Sequence, residues 1–248
     1  MKKVIAQNAE ELGKLASVHA ADLIKKAITE TGSCRLLLST AASQFETLAN
    51  LQKKDIEWSK VEVFHLDEYI GLPENHGASF VRYLKERFLD DIDPVKAAYF
   101  IDGKVSPDEA IAKVSTEIRR ARIDVALIGI GENAHIAFND PPADFITKEA
   151  YKIVKLDEAC RRQQLGEGWF PTLDDVPETA ISMTIYQILQ RGCCTLICNS
   201  RLFFSPLPRS PDAHPGFRPA VVQPIENRQK KQERRTKNVA SALLFWYN

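Results

Sequence analysis

Gly129-Ile130-Gly131-Glu132-Asn133-Ala134-His135-Ile136-Ala137-Phe138-Asn139-Asp140 sets an imidazole shortly ahead of a carboxylate, at the end of the apolar run Ile123–Ile130. A carboxylate can orient an imidazole and stabilise its protonated form. His135 with Asp140 therefore reads as an acid/base pair rather than as a mere anchor for the turn. A second acidic motif, His65-Leu66-Asp67-Glu68-Tyr69-Ile70-Gly71-Leu72, closes another apolar run. Phe64, Leu66 and Tyr69 flank its carboxylates. A carboxyl group against apolar surface loses hydration, its pKa rises, and it becomes a useful base near neutral pH; a solvated turn is the competing reading. A third stretch, Ser39-Thr40-Ala41-Ala42-Ser43, lies between a strand and a helix. Hydroxyls and unpaired N–H groups at a helix N-terminus suit an anion, a phosphate above all, although a plain helix cap would look the same.

Two other patterns carry less. Gly129-x-Gly131-x-x-Ala134 imitates a dinucleotide fingerprint, but that motif must open a long helix. Pro141-Pro142 arrives too soon for one, so the glycines read as a tight turn and no dinucleotide is expected. The five cysteines, Cys34, Cys160, Cys193, Cys194 and Cys198, are odd in number and unevenly spaced, which is not a disulfide framework. Cys194 and Cys198 fall in an apolar strand-like run and read as buried thiols rather than metal ligands.

These groups need elements to hold them. Asn8 caps an expected helix over residues 9–29, with Leu12, Leu15, Ala16, Leu23, Ile24, Ala27 and Ile28 as its apolar stripe and His19 packed on it. Strands are expected at 35–39, 61–66, 123–130, 152–156 and 195–198. Helical spacing appears from Phe45 to Leu51, from Phe80 to Phe88 and over 184–190. Ser106-Pro107-Asp108-Glu109 is a helix start with a cap, a proline in the first turn and a capping-box glutamate. Strands alternating with helices predict a three-layer, Rossmann-like α/β domain with a mainly parallel sheet. His135 and Asp67 then lie at strand ends, where such sheets keep their chemistry.

The chain has 248 residues, 44% of them hydrophobic, and 33 Lys+Arg balance 33 Asp+Glu. That is enough for one sizeable core, and it gives no net field toward nucleic acid or membrane partners. The N-terminus lacks the apolar core of a signal peptide, and no run reaches the length of a membrane span. With its unpaired cysteines the chain is expected in a reducing cytoplasm. The pattern changes after residue 199. Pro206, Pro208, Pro211, Pro215, Pro219 and Pro224 precede a basic run with Lys230, Lys231, Arg234 and Arg235. Residues 1–199 are thus expected to form the α/β domain. Residues 200–248 are expected to be an atypical, poorly ordered segment, with its basic run a solvated tail rather than a nucleic-acid arm.

Ser39–Ser43, Leu66–Leu72 and Gly129–Pro141 together resemble the glucosamine-6-phosphate deaminase (isomerase) family, whose fold is shared more broadly with 6-phosphogluconolactonases. The resemblance spans roughly residues 1–199. Tyr69 after the acidic pair, and Phe138-Asn139-Asp140 after the histidine, favour the deaminase branch; the lactonase branch carries an arginine after its Asp-Glu pair. The resemblance implies conversion of glucosamine 6-phosphate to fructose 6-phosphate and ammonia, without a cofactor or metal. Asp67 matches the enolisation base and His135 the ring-opening acid/base. Asp140 matches the supporting acid, and Asn133 a position held by Asp or Asn. Ser39, Thr40, Ala41, Ala42 and Ser43 match the sugar-phosphate loop, with Glu68 and Gly131 as further substrate-binding positions. A homo-oligomer is compatible with the resemblance. A 6-phosphogluconolactonase-type hydrolase and a catalytically weak sugar-phosphate-binding relative are the alternatives.

The departures from the pattern are Ala41, Ala42 and Ala134 where glycine is common, an arginine of the lid with no secure counterpart in residues 161–170, and the region near Arg201, where a phosphate-binding lysine is usual. Each is expected to weaken phosphate binding or strain the site.

Overall fold

The structure is a computed structural model that describes the backbone of residues 2–40, 42–131, 135–166, 168–198, 203–206, 220–223 and 241–247. In chain order the elements are β1 (Lys2–Ala6), α1 (Ala9–Thr31), β2 (Cys34–Leu38), α2 (Phe45–Leu51), β3 (Val61–His65), β4 (Asp67–Tyr69), α3 (Phe80–Arg87), β5 (Ala97–Tyr99) and α4 (Pro107–Arg119). They continue with β6 (Ile123–Gly129), β7 (Tyr151–Lys155), α5 (Glu158–Gly166), β8 (Thr179–Met183), α6 (Ile185–Leu189), β9 (Arg191–Cys198), β10 (Phe203–Pro206), β11 (Ala220–Gln223) and β12 (Ser241–Tyr247).

The central sheet has the order β1-β12-β9-β6-β2-β3-β5. β2 pairs in parallel with β3 and β6, β3 with β5, and β6 with β9. β12 runs antiparallel between β9 and β1. The sheet is therefore mainly parallel, as expected, and it draws its β12 from the C-terminal segment. A smaller antiparallel sheet, β4-β8-β7, stands beside it, and β10 pairs with β11.

Strand periodicity explains the layers. Every residue of β2 and β3 is buried, as parallel strands covered on both faces require. Leu36, Leu38, Val61 and Val63 face one core, with Leu12, Ala16, Ala20 and Ile24 of α1 and with α3. Their neighbours Leu37 and Phe64 face the other, with Ala110, Val114 and Ile118 of α4 and with Ile181 and Met183 of β8. The Asn8 side chain caps α1 by accepting from the Glu11 N–H at 2.9 Å, and Gly32 ends the helix at φ +82°. Gly13 has no room for a side chain, because a Cβ there would fall on the backbone of Glu46 in α2. Leu15, expected in the apolar stripe, is exposed at 39%; the buried arc is narrower, and small residues let α2 approach α1. Ser106 caps α4 as its sequence predicts.

At the N-terminal ends of the strands lies a buried ion cluster. Arg35 of β2 donates to the carbonyls of Glu117, Ile118 and Ala121 at the end of α4, and its Nε lies 3.3 Å from Glu62 of β3. A cation on the last carbonyls of a helix answers its unpaired acceptors and its dipole. Lys96 at 3.1 Å and Arg120 at 3.2 Å also reach Glu62. Burial would raise the Glu62 carboxyl, but these cations outweigh it and hold its pKa below the usual value. Glu62→Ala leaves Arg35 buried without its anion, a loss of about 3–5 kcal/mol. Because the native pKa is depressed, the Glu62 contribution is present above the unfolded value and fades as pH falls through the native one. Urea unfolding at pH 7 and at pH 3 should show a large gap between wild type and variant at the first pH and a smaller one at the second.

Candidate active site

The three sequence motifs meet at the C-terminal ends of β2, β3 and β6. Ser39, just past β2, donates its N–H to the Leu127 carbonyl and accepts the Gly129 N–H on Oγ at 2.9 Å. The following turn carries Thr40 and a short 3₁₀ helix, Ala42–Gln44, before α2. Ser43 accepts from the Gln44 side chain, and a Cβ on Gly129 would come within 3.4 Å of the Ser43 Oγ. The loop expected to hold phosphate therefore abuts the mouth of β6. Ala42 adopts a helical turn that alanine enters without strain. Ala41 lies outside the described residues, as do Asn133 and Ala134.

Two residues past β6, Gly131 donates its N–H to the His135 carbonyl at 2.9 Å. The imidazole lies so close over Gly131 that any Cβ there would overlap the ring. Gly131, expected to bind substrate, is thus first a seat for His135. His135 Nδ1 stands 3.1 Å from Asp140 Oδ1, with both side chains largely buried. The turn between them places Ala137 at φ +54°, a conformation that costs alanine about 1–2 kcal/mol. Asn139 holds that turn in place: its Nδ2 donates to the carbonyls of Ile136 at 2.9 Å and Met183 at 2.8 Å. The Phe138 N–H donates to the Ser182 Oγ at 3.1 Å.

Ser182 links this turn to the acidic motif, because it is the register partner of Asp67 in the β4/β8 pair. Asp67 is 8% exposed. Burial, reinforced by the Glu68 charge, pushes its carboxyl up to about 8. The Cys160 thiol of α5 lies within hydrogen-bond reach of Asp140 and feels the Asp67 charge; burial first, then Asp140, raises it to about 12. The Tyr151 hydroxyl donates to the His65 carbonyl at 3.0 Å, and its pKa is raised by burial and then by Asp67. Asp67, Asp140 and His135 therefore belong to one enclosed neighbourhood.

Glu68 has a different task from the one expected. Adjacent strand residues point to opposite faces, so it faces away from Asp67. Its Oε1 accepts the Tyr69 N–H at 2.9 Å; its Oε2 accepts the Ser79 hydroxyl at 2.8 Å and the Val81 N–H at 3.0 Å. Both oxygens are used inside the protein, Oε1 within β4 and Oε2 at the N-terminus of α3, rather than offered to a substrate. Burial raises its pKa to about 7 against the lowering effect of those bonds.

Sequence reasoning passed over several neighbours. Cys160 carries no motif of its own in the sequence, yet it sits buried in the first turn of α5, its N–H donating to Asp157 at 2.7 Å. Nothing in Thr179-Ala180-Ile181-Ser182-Met183 announced Ser182. His65 is fully buried and neutral, its pKa lowered to about 3 by burial, with Nε2 accepting the Ile101 N–H at 2.9 Å. Arg161, in the region where a lid arginine was sought, donates to the carbonyls of Val176 and Leu173. Arg162 pairs with Glu158 on the surface. The region near Arg201 lies outside the described residues. Among the described residues, no group of His, Cys, Asp and Glu is arranged to hold a metal, and no helix is long and apolar enough to cross a membrane.

Residues 7–158 match the family described as glucosamine-6-phosphate isomerases/6-phosphogluconolactonase. A glucosamine-6-phosphate deaminase of Exiguobacterium sibiricum is 31% identical over 200 residues, covering 81% of this chain and 77% of its own. One from Bacillus pumilus is 32% identical over 202 residues, covering 79% and 80%. Among solved structures, a monomeric glucosamine-6-phosphate deaminase superposes with a TM-score of 0.70 at 27% identity, covering 77% of this chain and 79% of that one. A putative 6-phosphogluconolactonase of Neisseria gonorrhoeae, at 23% identity and a TM-score of 0.59 over 77% and 80%, shares the fold.

The raised Asp67 pKa makes a stability prediction. Its native value lies above the unfolded one, near ~4. The unfolded chain therefore releases its proton first, and Asp67 costs stability increasingly as pH rises from about 4 to 8. Asp67→Asn removes that cost. Its melting temperature should match wild type near pH 4 and exceed it at pH 8; equal melting at both would show Asp67 to be well hydrated.

Proposed function

The chain belongs to the glucosamine-6-phosphate isomerase/6-phosphogluconolactonase family, and we propose that it is the deaminase: it converts glucosamine 6-phosphate and water to fructose 6-phosphate and ammonia. The observation that carries this reading is a buried carboxylate tuned to about 8, linked through one strand, β8, to an imidazole–carboxylate pair. Moving a proton between adjacent carbons needs one base that can take it from C2 and return the same proton to C1. An ordinary surface aspartate is too weak a base for that. Asp67, poised near neutral pH, is matched to both halves of the transfer.

Ring opening needs a second group, at the ring oxygen and the anomeric hydroxyl. His135 supplies it. With Nδ1 bonded to Asp140, proton exchange with substrate runs through Nε2, and Asp140 stabilises the imidazolium that forms. After ring opening Asp67 removes the C2 proton, and the electrons pass into an enolamine spanning C1 and C2. Reprotonation at C1 gives a C2 imine, which water hydrolyses to the ketone with loss of ammonia. Asn133 completes the acid/base set as a polarising amide. The Ser39–Ser43 turn, with Thr40, Ala41 and Ala42 contributing backbone, receives the phosphate through N–H and hydroxyl donors. No cofactor enters this scheme. A sugar phosphate is the partner it requires, and the cytoplasm is the compartment proposed for it.

Ammonia and fructose 6-phosphate should form in equal amounts from glucosamine 6-phosphate, with no acceleration of 6-phosphogluconolactone hydrolysis; the reverse pattern would overturn the assignment. Asp67→Asn should slow exchange of the C2 proton by ~10²–10⁴ while leaving binding largely intact, and retained exchange would remove Asp67 from the role of base. Gly131→Ala should displace the His135 ring and lower kcat by about 10² with KM little changed, which steady-state kinetics would register.

A further inference from the structure

Glu68 is nearly invisible to solvent yet ionisable, and substrate chemistry makes no use of it. Its carboxylate stands at the start of α3, where Ser79 is the helix cap and the Val81 N–H is among the first donors. Anions are favoured at such a position. On the same short strand, one residue earlier and on the other face, is Asp67. β4 therefore carries a carboxylate on each side, and the outer one is tied to a helix while the inner one faces the reaction. Of the three bonds on the outer carboxylate, the one to Tyr69 lies within β4, while those to Ser79 and Val81 cross to the start of α3, so the strand cannot rotate about its axis without breaking these two.

We propose that Glu68 is a positioning residue for the base: it locks β4 to the first turn of α3 and so sets the direction of Asp67, and its negative charge keeps a proton on Asp67 more readily than an uncharged residue would. The proposal rests on Asp67 being the base, and it adds a residue that acts through Asp67 without touching substrate.

The surroundings allow that charge to change. Glu68 lines a cavity of about 210 Å³ between α3, β5 and α4. Lys85 and Glu74, paired with each other, stand at its rim with Asp102, Lys113 and Glu117. On the inner side, Asp67 is faced by Tyr151 of β7 and Cys160 of α5, with Asp140 beyond the thiol; His65, at the end of β3, is neutral. The Glu68 charge adds to burial in raising the Asp67 carboxyl, and two carboxyls that interact in this way exchange protons as a pair.

The test is a carbon-13 carboxyl titration of Asp67 in the substrate-free protein, followed by the pH profile of kcat/KM. In Glu68→Gln the amide keeps an acceptor for α3 but has no charge, and the Asp67 midpoint should fall by about one pH unit. The acidic limb of kcat/KM should move down with it. Ser79→Ala removes a bond that favours the ionised Glu68. Glu68 then neutralises at higher pH, and the Asp67 midpoint should fall by a smaller amount. A folded Glu68→Gln with an unmoved midpoint overturns the proposal. If Glu68→Gln does not fold, Ser79→Ala decides, and an unmoved midpoint there overturns it as well. Because the titration needs no substrate, it stands or falls separately from the deaminase assay. A midpoint that moves in a protein without deaminase activity would keep the coupling and discard the reaction.

Discussion

Two neighbouring carboxyl groups almost cut off from water are the constraint on which the rest of this site depends. Each alone would be expensive to bury as an ion. The fold handles them differently. Glu68 receives three hydrogen bonds, two of them at the start of a helix, which partly replace its lost hydration. For Asp67 burial is the largest cause of a pKa well above the usual aspartate range. The alternation of a strand makes this division: one step along β4 turns the side chain from a helix terminus to the reaction space. A carboxyl that titrates near neutral pH is thus obtained at a cost in stability that the surrounding cores must offset.

The histidine side of the site is built by a different device. No regular element holds His135. Its ring rests on Gly131, its Nδ1 on Asp140, and the turn between them on Asn139 and Ser182. These bonds end on β8, the strand that also pairs with β4. β8 therefore connects Asp67 to the imidazole–carboxylate pair through one strand. The strained Ala137 is tolerated because Asn139 and Phe138, the next two residues, are fixed from outside the turn.

The outline of the molecule was legible because local chemistry and burial agree. Asn8, Ser106 and Gly32 mark helix ends by their own backbone preferences, and the apolar runs at 35–39, 61–66 and 123–130 became the covered strands β2, β3 and β6 within a residue or two. His135, Asp140 and Asp67 were legible because few arrangements put an imidazole and carboxylates at the ends of buried strands. Of the small sheet only β7 was legible, as the strand expected at 152–156. β8 alternates small, apolar and polar residues, and its strand character comes from pairing with β4 and β7, which no local pattern encodes. The task of Glu68 was missed for the same reason: its partners, Ser79 and Val81, belong to a different element, and only the return of α3 over β4 brings them near.

The two ends of the central strands divide the work. At the N-terminal ends, Arg35, Glu62, Lys96 and Arg120 form an ion cluster whose charges satisfy one another and the carbonyls that end α4. At the C-terminal ends, carboxyls are gathered with few cations to neutralise them. Both arrangements bury charge, yet with opposite results: the Glu62 pKa lies below its usual value and the Asp67 pKa above. The difference lies both in the partners supplied and in burial: three cations outweigh burial at Glu62, whereas burial is the largest cause of the Asp67 shift, with the Glu68 charge added to it. A carboxylate given cations becomes a fixture of the fold. One left beside another carboxylate, with a thiol and a tyrosine hydroxyl nearby, keeps an exchangeable proton, and that proton is what an enolising base must be able to hold and return.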